Sequence, residues 1–257
     1  MTESEWLSST DPAAMMEAIR RGAEGTLAFG PMEWVTDRTP LDRKLRLFAC
    51  GCCRLVWDGT RCDRCKGSGR YCPPGCGELF EGGCTACHGT GKVGGLTDPR
   101  SRRAVEVAER FADGLATRAE LDTTFPGEHV SGFFVTWPTA VHVANAAITL
   151  DNISPPAAQA ALIREIFGNP FRPVTLCVGD CPDPDEGYHS PNCPLRSPNV
   201  LAIAERIYDE RDWRAMPILA DALLDAGCTE ASLLDHLRGP GPHARGCWVV
   251  DLILSKA

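Results

Sequence analysis

Residues 39–55 read Thr-Pro-Leu-Asp-Arg-Lys-Leu-Arg-Leu-Phe-Ala-Cys-Gly-Cys-Cys-Arg-Leu. Proline is at home in the first turn of a helix, where its missing N–H would have no partner and its φ is already helical. Behind Thr39-Pro40, the apolar residues Leu41, Leu45, Phe48, Cys52 and Leu55 fall alternately four and three residues apart. That spacing predicts a helix with one buried stripe.

The same signature recurs along the chain. Asp11-Pro12 opens a helix that Gly22 is expected to close. Asp98-Pro99 opens another, with Ala104, Ala108, Phe111 and Leu115 on its stripe and a Glu106–Arg110 pair on its outer side. Pro138 starts an Ala-rich helix through Val141, Ala144 and Ile148. Ser154-Pro155 starts one that runs to Phe167 and stops at Gly168. Ser197-Pro198 starts one through Leu201, Ala204, Ile207 and Tyr208. A helix is expected from Trp213 to Ala226, ended by Gly227, and another from a Thr229 cap to Gly239. The tail from Cys247 to Leu254 is apolar on every side, which fits a buried strand or a buried helix; its helical surroundings favour the helix. The expected fold class is mainly α: a multi-helix body.

Two cysteine-rich patches interrupt this pattern. Of 14 cysteines in 257 residues, six lie between Cys62 and Cys87 and three between Cys177 and Cys193. Both patches are rich in glycine, proline and polar residues and lack an apolar period, so they read as loop insertions. The expected organisation is a helical body in three parts, residues 1–58, 96–175 and 197–257. It is interrupted by a small zinc ribbon at 59–95 and a possible second zinc knuckle at 176–196.

In the first patch, residues 62–69 read Cys-Asp-Arg-Cys-Lys-Gly-Ser-Gly and residues 84–91 read Cys-Thr-Ala-Cys-His-Gly-Thr-Gly. Each is C-x-x-C-x-G-x-G, and 18 residues separate Cys65 from Cys84. Two residues between thiols let both sulfurs of one turn face a single ion, and two such turns complete a four-thiolate tetrahedron. Cys62, Cys65, Cys84 and Cys87 are therefore the expected ligands of one structural zinc. The glycines after each pair allow turns that aim backbone amides at the sulfurs. Residues 59–95 hold few large apolar side chains, chiefly Tyr71, Leu79, Phe80 and Val93, so this stretch needs an ion to order it.

The second patch offers Cys177, Cys181, His189 and Cys193, a looser set that could hold a second zinc or act as an ordinary loop. Cys50, Cys52, Cys53, Cys228 and Cys247 read as buried core thiols. His142 reads as a packed histidine. His243, on the rigid turn Gly239-Pro240-Gly241-Pro242, is a candidate functional group with no partner evident in sequence.

The doubled motif resembles the cysteine-rich domain of DnaJ-type co-chaperones over roughly residues 60–94. That family carries four such repeats and two zinc ions, and Cys62, Cys65, Cys84 and Cys87 match its outer pair of repeats. In place of the inner pair this chain has only Cys72-Pro-Pro-Gly-Cys76, two ligands short, and no His-Pro-Asp tripeptide occurs. The resemblance implies one zinc and binding of unfolded chains, without the Hsp70-recruiting module. Residues 42–50, 101–110, 166–173 and 239–251 resemble an uncharacterised bacterial family of helical proteins with no assigned activity; this supports the insertion reading and adds no mechanism.

Composition narrows the function classes. Net charge is −8 and the pI about 5.3, so the chain has no overall basic footprint for nucleic acid. Residues 59–95 carry five basic and three acidic side chains, which a zinc tetrathiolate of charge −2 brings near neutrality. No apolar run is long enough to span a membrane. Residues 1–11 lack the features of a secretory leader, so a cytoplasmic, reducing location is expected, where cysteines favour metal over disulfides. No nucleophile elbow, phosphate loop, H-E-x-x-H or dinucleotide motif is present. The expected function is a zinc-binding adaptor or chaperone-like protein with a protein or peptide partner. The alternatives are a metal- or thiol-dependent enzyme and a nucleic-acid-binding zinc ribbon.

Overall fold

The computed structural model describes residues 1–25, 40–61, 64–66, 68, 92–93, 96, 99–124, 154–174 and 194–256. Among these the fold is mainly α. The helices are α1 (Glu3–Ser8), α2 (Pro12–Gly25), α3 (Pro40–Leu55), α4 (Pro99–Ala112), α5 (Arg118–Thr124), α6 (Pro156–Phe167), α7 (Pro198–Glu210), α8 (Met216–Asp225), α9 (Ala231–Arg238) and α10 (Trp248–Leu254). Short 3-10 turns at Pro194–Arg196 and Trp213–Ala215 precede α7 and α8. The Ala-rich helix expected from Pro138, with His142, lies outside the described residues. No helix among those described is long and apolar enough to cross a membrane.

Two apolar cores organise these helices. The first gathers Trp6, Met15, Phe48, Leu47, Val105, Ala108, Leu162, Ile163 and Ile166, with α3 packed on α4 and α6. The second gathers Val200, Ile207, Tyr208, Met216, Leu219, Leu223, Leu233, Leu237, Val249 and Ile253 from α7 to α10. They meet where α6 packs on α10, and Gly168 marks that contact. Its φ is +68°, and a Cβ there would lie 3.2 Å from the Trp248 indole. The Gly168 carbonyl also accepts a hydrogen bond from Trp6 Nε1 at 3.2 Å.

A buried charge network ties the cores together. Arg43 of α3 donates to Asp113 Oδ1 at 2.9 Å, to both oxygens of Asp251 at 2.5 and 3.1 Å, and to Tyr208 Oη at 2.7 Å. Tyr208 in turn donates to Asp113 Oδ1 at 2.7 Å, and Arg245 Nε lies 2.8 Å from Asp113 Oδ2. Asp113 and Asp251 are fully buried, so the guanidinium groups offset charges that water cannot reach.

Most predicted boundaries match, and the differences have local causes. α2 continues past Gly22 to Gly25, since an isolated glycine weakens a helix without ending it. Glu230, not Thr229, caps α9, because its carboxylate accepts from Ser232 N at 3.3 Å and Ser232 Oγ at 2.7 Å. Leu115 is 60% exposed, beyond the end of α4. Glu106 pairs with Arg103, and Arg110 with Glu120. The apolar tail is the helix α10. Helices α1 and α5 lie outside the sequence expectations, although Thr2 and Glu5 form a reciprocal capping box at the start of α1.

Two short strands flank the first cysteine patch. β1 (Thr60–Arg61) pairs antiparallel with β2 (Lys92–Val93), Thr60 opposite Val93. Leu96 N donates to the Val56 carbonyl at 3.1 Å. Arg102 of α4 donates to the carbonyls of both Leu96 (2.6 Å) and Trp57 (2.7 Å). The two ends of the 59–95 segment are thus held side by side.

Candidate functional site

Of the sequence-derived ligands, only Cys65 falls among the described residues. Cys62, Cys84, Cys87, Cys177, Cys181, His189 and Cys193 lie outside them, as do Cys72 and Cys76. Cys65 is buried at 7% exposure. Its carbonyl accepts from Ser68 N at 3.0 Å and Ser68 Oγ at 2.8 Å. The left-handed residue in this turn is Lys66, at φ +51°.

The five thiols read as core residues are buried as expected. Cys50, Cys52, Cys53, Cys228 and Cys247 are all nearly inaccessible. Burial pushes the Cys53 thiol up to about 12 and those of Cys50 and Cys52 further. None of these three is a reactive thiolate near neutral pH.

The described residues hold one grouping with the chemistry of a site: Glu165, His236 and His243. It is assembled from three elements. The stripe of Ile163 and Ile166 that seats α6 in the first core leaves Glu165 directed at the second, where it is 3% exposed. His236 stands on the last turn of α9, whose Leu233 and Leu237 face the second core. His243 follows the Gly239–Pro242 turn. Gly241 has φ +87°, and a Cβ there would sit 2.7 Å from His243 N, so only glycine allows the chain to present this imidazole.

The donor atoms converge. Glu165 Oε2 lies 3.2 Å from His236 Nε2, and Glu165 Oε1 lies 3.4 Å from His243 Nδ1. Glu165 Oε1 also accepts from Ala244 N at 3.3 Å. Cys247 Sγ, at the start of α10, is 3.2 Å from His236 Nε2. Trp248 Nε1 stands 3.2 Å from His236 Nδ1. An indole N–H only donates, so Nδ1 of His236 accepts and the ring proton resides on Nε2, facing Glu165. His243 is different: Nε2 faces the Gly239 carbonyl at 3.2 Å while Nδ1 faces the carboxylate. Both of its nitrogens meet acceptors, which favours the imidazolium.

The electrostatics follow from this geometry. Burial alone would raise the Glu165 carboxyl, but hydrogen bonds from His236 and His243 outweigh it and hold the group below the ordinary value. Burial opposes a charge on His243, yet the contact with Glu165 lifts that imidazole above its ordinary value. Burial, reinforced by the Glu165 charge, keeps Cys247 a thiol. Cys247 and Glu165 also approach the same nitrogen of His236. A nucleophile relay needs thiol and carboxylate on opposite ring nitrogens, so these residues form no Cys-His-Glu triad.

Next to His243 lies a cavity of about 210 Å³ with an apolar wall of Leu47, Gly51 and Leu162. Its polar lining includes Arg54, Arg211, Arg245 and Glu109. Glu109 receives Arg54 at 2.8 and 3.1 Å and also Arg211.

His243 was singled out in the sequence; Glu165, His236 and Cys247 were not assigned this role. The spacing His236-x6-His243-x3-Cys247 is visible in the chain, but Glu165 stands about 70 residues earlier with no local signal. Comparison of the chain with family models, with curated proteins and with solved structures finds no match.

Proposed function

We propose that this chain is a zinc-binding protein-interaction protein: a helical body that displays a zinc-ordered ribbon to a protein or peptide partner. The doubled C-x-x-C-x-G-x-G at Cys62, Cys65, Cys84 and Cys87 carries the reading, as a four-thiolate set with spacing suited to one structural ion. The closed neck supports it. Pairing of Thr60 with Val93, and the Arg102 bonds to Trp57 and Leu96, hold the two flanks of the 59–95 segment side by side. A thiolate-bound ion would order a segment whose own apolar content is too small for a core. The ribbon's short strands offer backbone edges to which an extended peptide could add. The buried, protonated thiols of α3 argue against a thiol enzyme.

The test is metal analysis of the purified chain with peptide capture. At least one zinc per chain is expected, and the double variant Cys62→Ser, Cys84→Ser should lose one equivalent together with binding of an unfolded test protein. A zinc content that this variant leaves unchanged, with Cys62, Cys84 and Cys87 titratable in the native wild-type chain, would overturn the reading.

A further inference from the structure

We infer that Glu165, His236 and His243 form a second metal site inside the helical body, taking a late first-row divalent cation such as zinc. It shares no residue with the Cys62, Cys65, Cys84 and Cys87 set and rests on different observations. Four lines of geometry carry this.

The first is spacing. Donors about 2.0–2.3 Å from a tetrahedral ion lie about 3.3–3.7 Å from one another. Here the carboxylate meets the two imidazoles at 3.2 and 3.4 Å. All three N and O donors lie within 4.8 Å of one another.

The second is the hydrogen bond behind His243. A ligating histidine commonly donates its far N–H to a backbone carbonyl, which fixes the ring and leaves the near nitrogen for the ion. Nε2 of His243 donates to the Gly239 carbonyl at 3.2 Å, and Nδ1 faces the site. The Gly241 turn holds that ring in place.

The third is charge. Glu165 is buried with its carboxylate turned to the histidines. A position where both His243 nitrogens face acceptors calls for a cation, and a divalent ion supplies it without a proton. Two imidazoles and a carboxylate are a donor set suited to zinc or cobalt rather than calcium or magnesium.

The fourth is access. His243 lines the cavity described above, and the His236 side chain is 18% exposed, so an ion can reach the cluster from solvent.

Uptake has a definite proton balance. The ion displaces one proton, that on His243 Nδ1. His236 keeps its single ring proton, which moves from Nε2 to Nδ1 and there faces the Trp248 N–H. Two donors cannot share that 3.2 Å contact, so the indole must shift when the ion binds.

The experiment is a cobalt(II) titration of the full chain, read by ligand-field absorption and by ion content. The comparison uses Cys62→Ser with Cys84→Ser on one side and His236→Gln with His243→Gln on the other. Glutamine keeps an N–H donor near Glu165, and circular dichroism checks that the helices persist. In the cysteine variant, one cobalt should remain in a nitrogen and oxygen environment. The histidine variant should lose that equivalent and keep any tetrathiolate signal. In wild-type chain, the indole N–H resonance of Trp248, assigned by Trp248→Phe, should shift on saturation. Ion content unchanged by His236→Gln with His243→Gln, or a cobalt spectrum of thiolates alone, overturns the inference. A wild-type chain that takes one equivalent, kept by the cysteine variant and lost by the histidine variant, would count against the proposed function only.

Discussion

The closest balance of forces at a single residue is at Glu165. Its buried carboxylate is stable as an anion only because His236 and His243 point at it. In ion-free protein this pair gives stability a two-sided pH dependence. Glu165 has its pKa lowered in the fold, so its contribution is present above the ordinary value of 4.5 and is lost as pH falls through the folded value. His243 has its pKa raised, so its contribution is complete below the ordinary 6.5 and fades as pH rises through the folded value. Chelator-treated protein should therefore melt highest in mildly acidic buffer. His243→Gln should remove the decline on the alkaline side and leave the acid limb in place. A melting profile flat from pH 5 to 9 in both proteins would show that the pair contributes nothing.

At the scale of elements, the joint between the two cores depends on Asp113, just past the end of α4. It receives Arg43 of α3, Tyr208 of α7 and Arg245 of the loop before α10. Removing one partner from a buried charge set leaves the others uncompensated, at a cost of roughly 3–5 kcal/mol. Asp113→Ala should lower the denaturant midpoint by a corresponding amount, while Asp122→Ala, on the exposed face of α5, should change it by less than about 0.5 kcal/mol. Equal effects from the two would remove the network from its place between the cores. How legible these elements were depends on where their signals reside. Pro40, Pro99, Ser197-Pro198 and Gly168 are local instructions, and the helices they delimit start or stop at or beside them. The Glu106–Arg110 pair failed because a neighbouring helix supplied Glu120 as a competing partner, and no local pattern reports that.

For the whole molecule, the helical body and the cysteine-rich excursion answer to different forces. The body rests on two apolar cores; the 59–95 segment has too few apolar side chains to do the same. Chelation should leave the far-ultraviolet helical signal nearly unchanged while exposing Arg64 and Lys66 to trypsin. A chelator that abolished helicity would mean that the ion holds the body as well.

The sequence alone determined the mainly α class, most helix limits, the burial of the α3 thiols and the spacing of the doubled C-x-x-C-x-G-x-G. Each is set by residues a few positions apart, where backbone geometry and hydrophobic period act directly. Only the tertiary structure decided that α6 and α10 meet at Gly168, that Arg43 spans both cores, and that Glu165 faces His236 and His243. These contacts join groups tens to hundreds of residues apart. They exist because burying the helices' apolar stripes forces the remaining polar groups between them to find one another away from water.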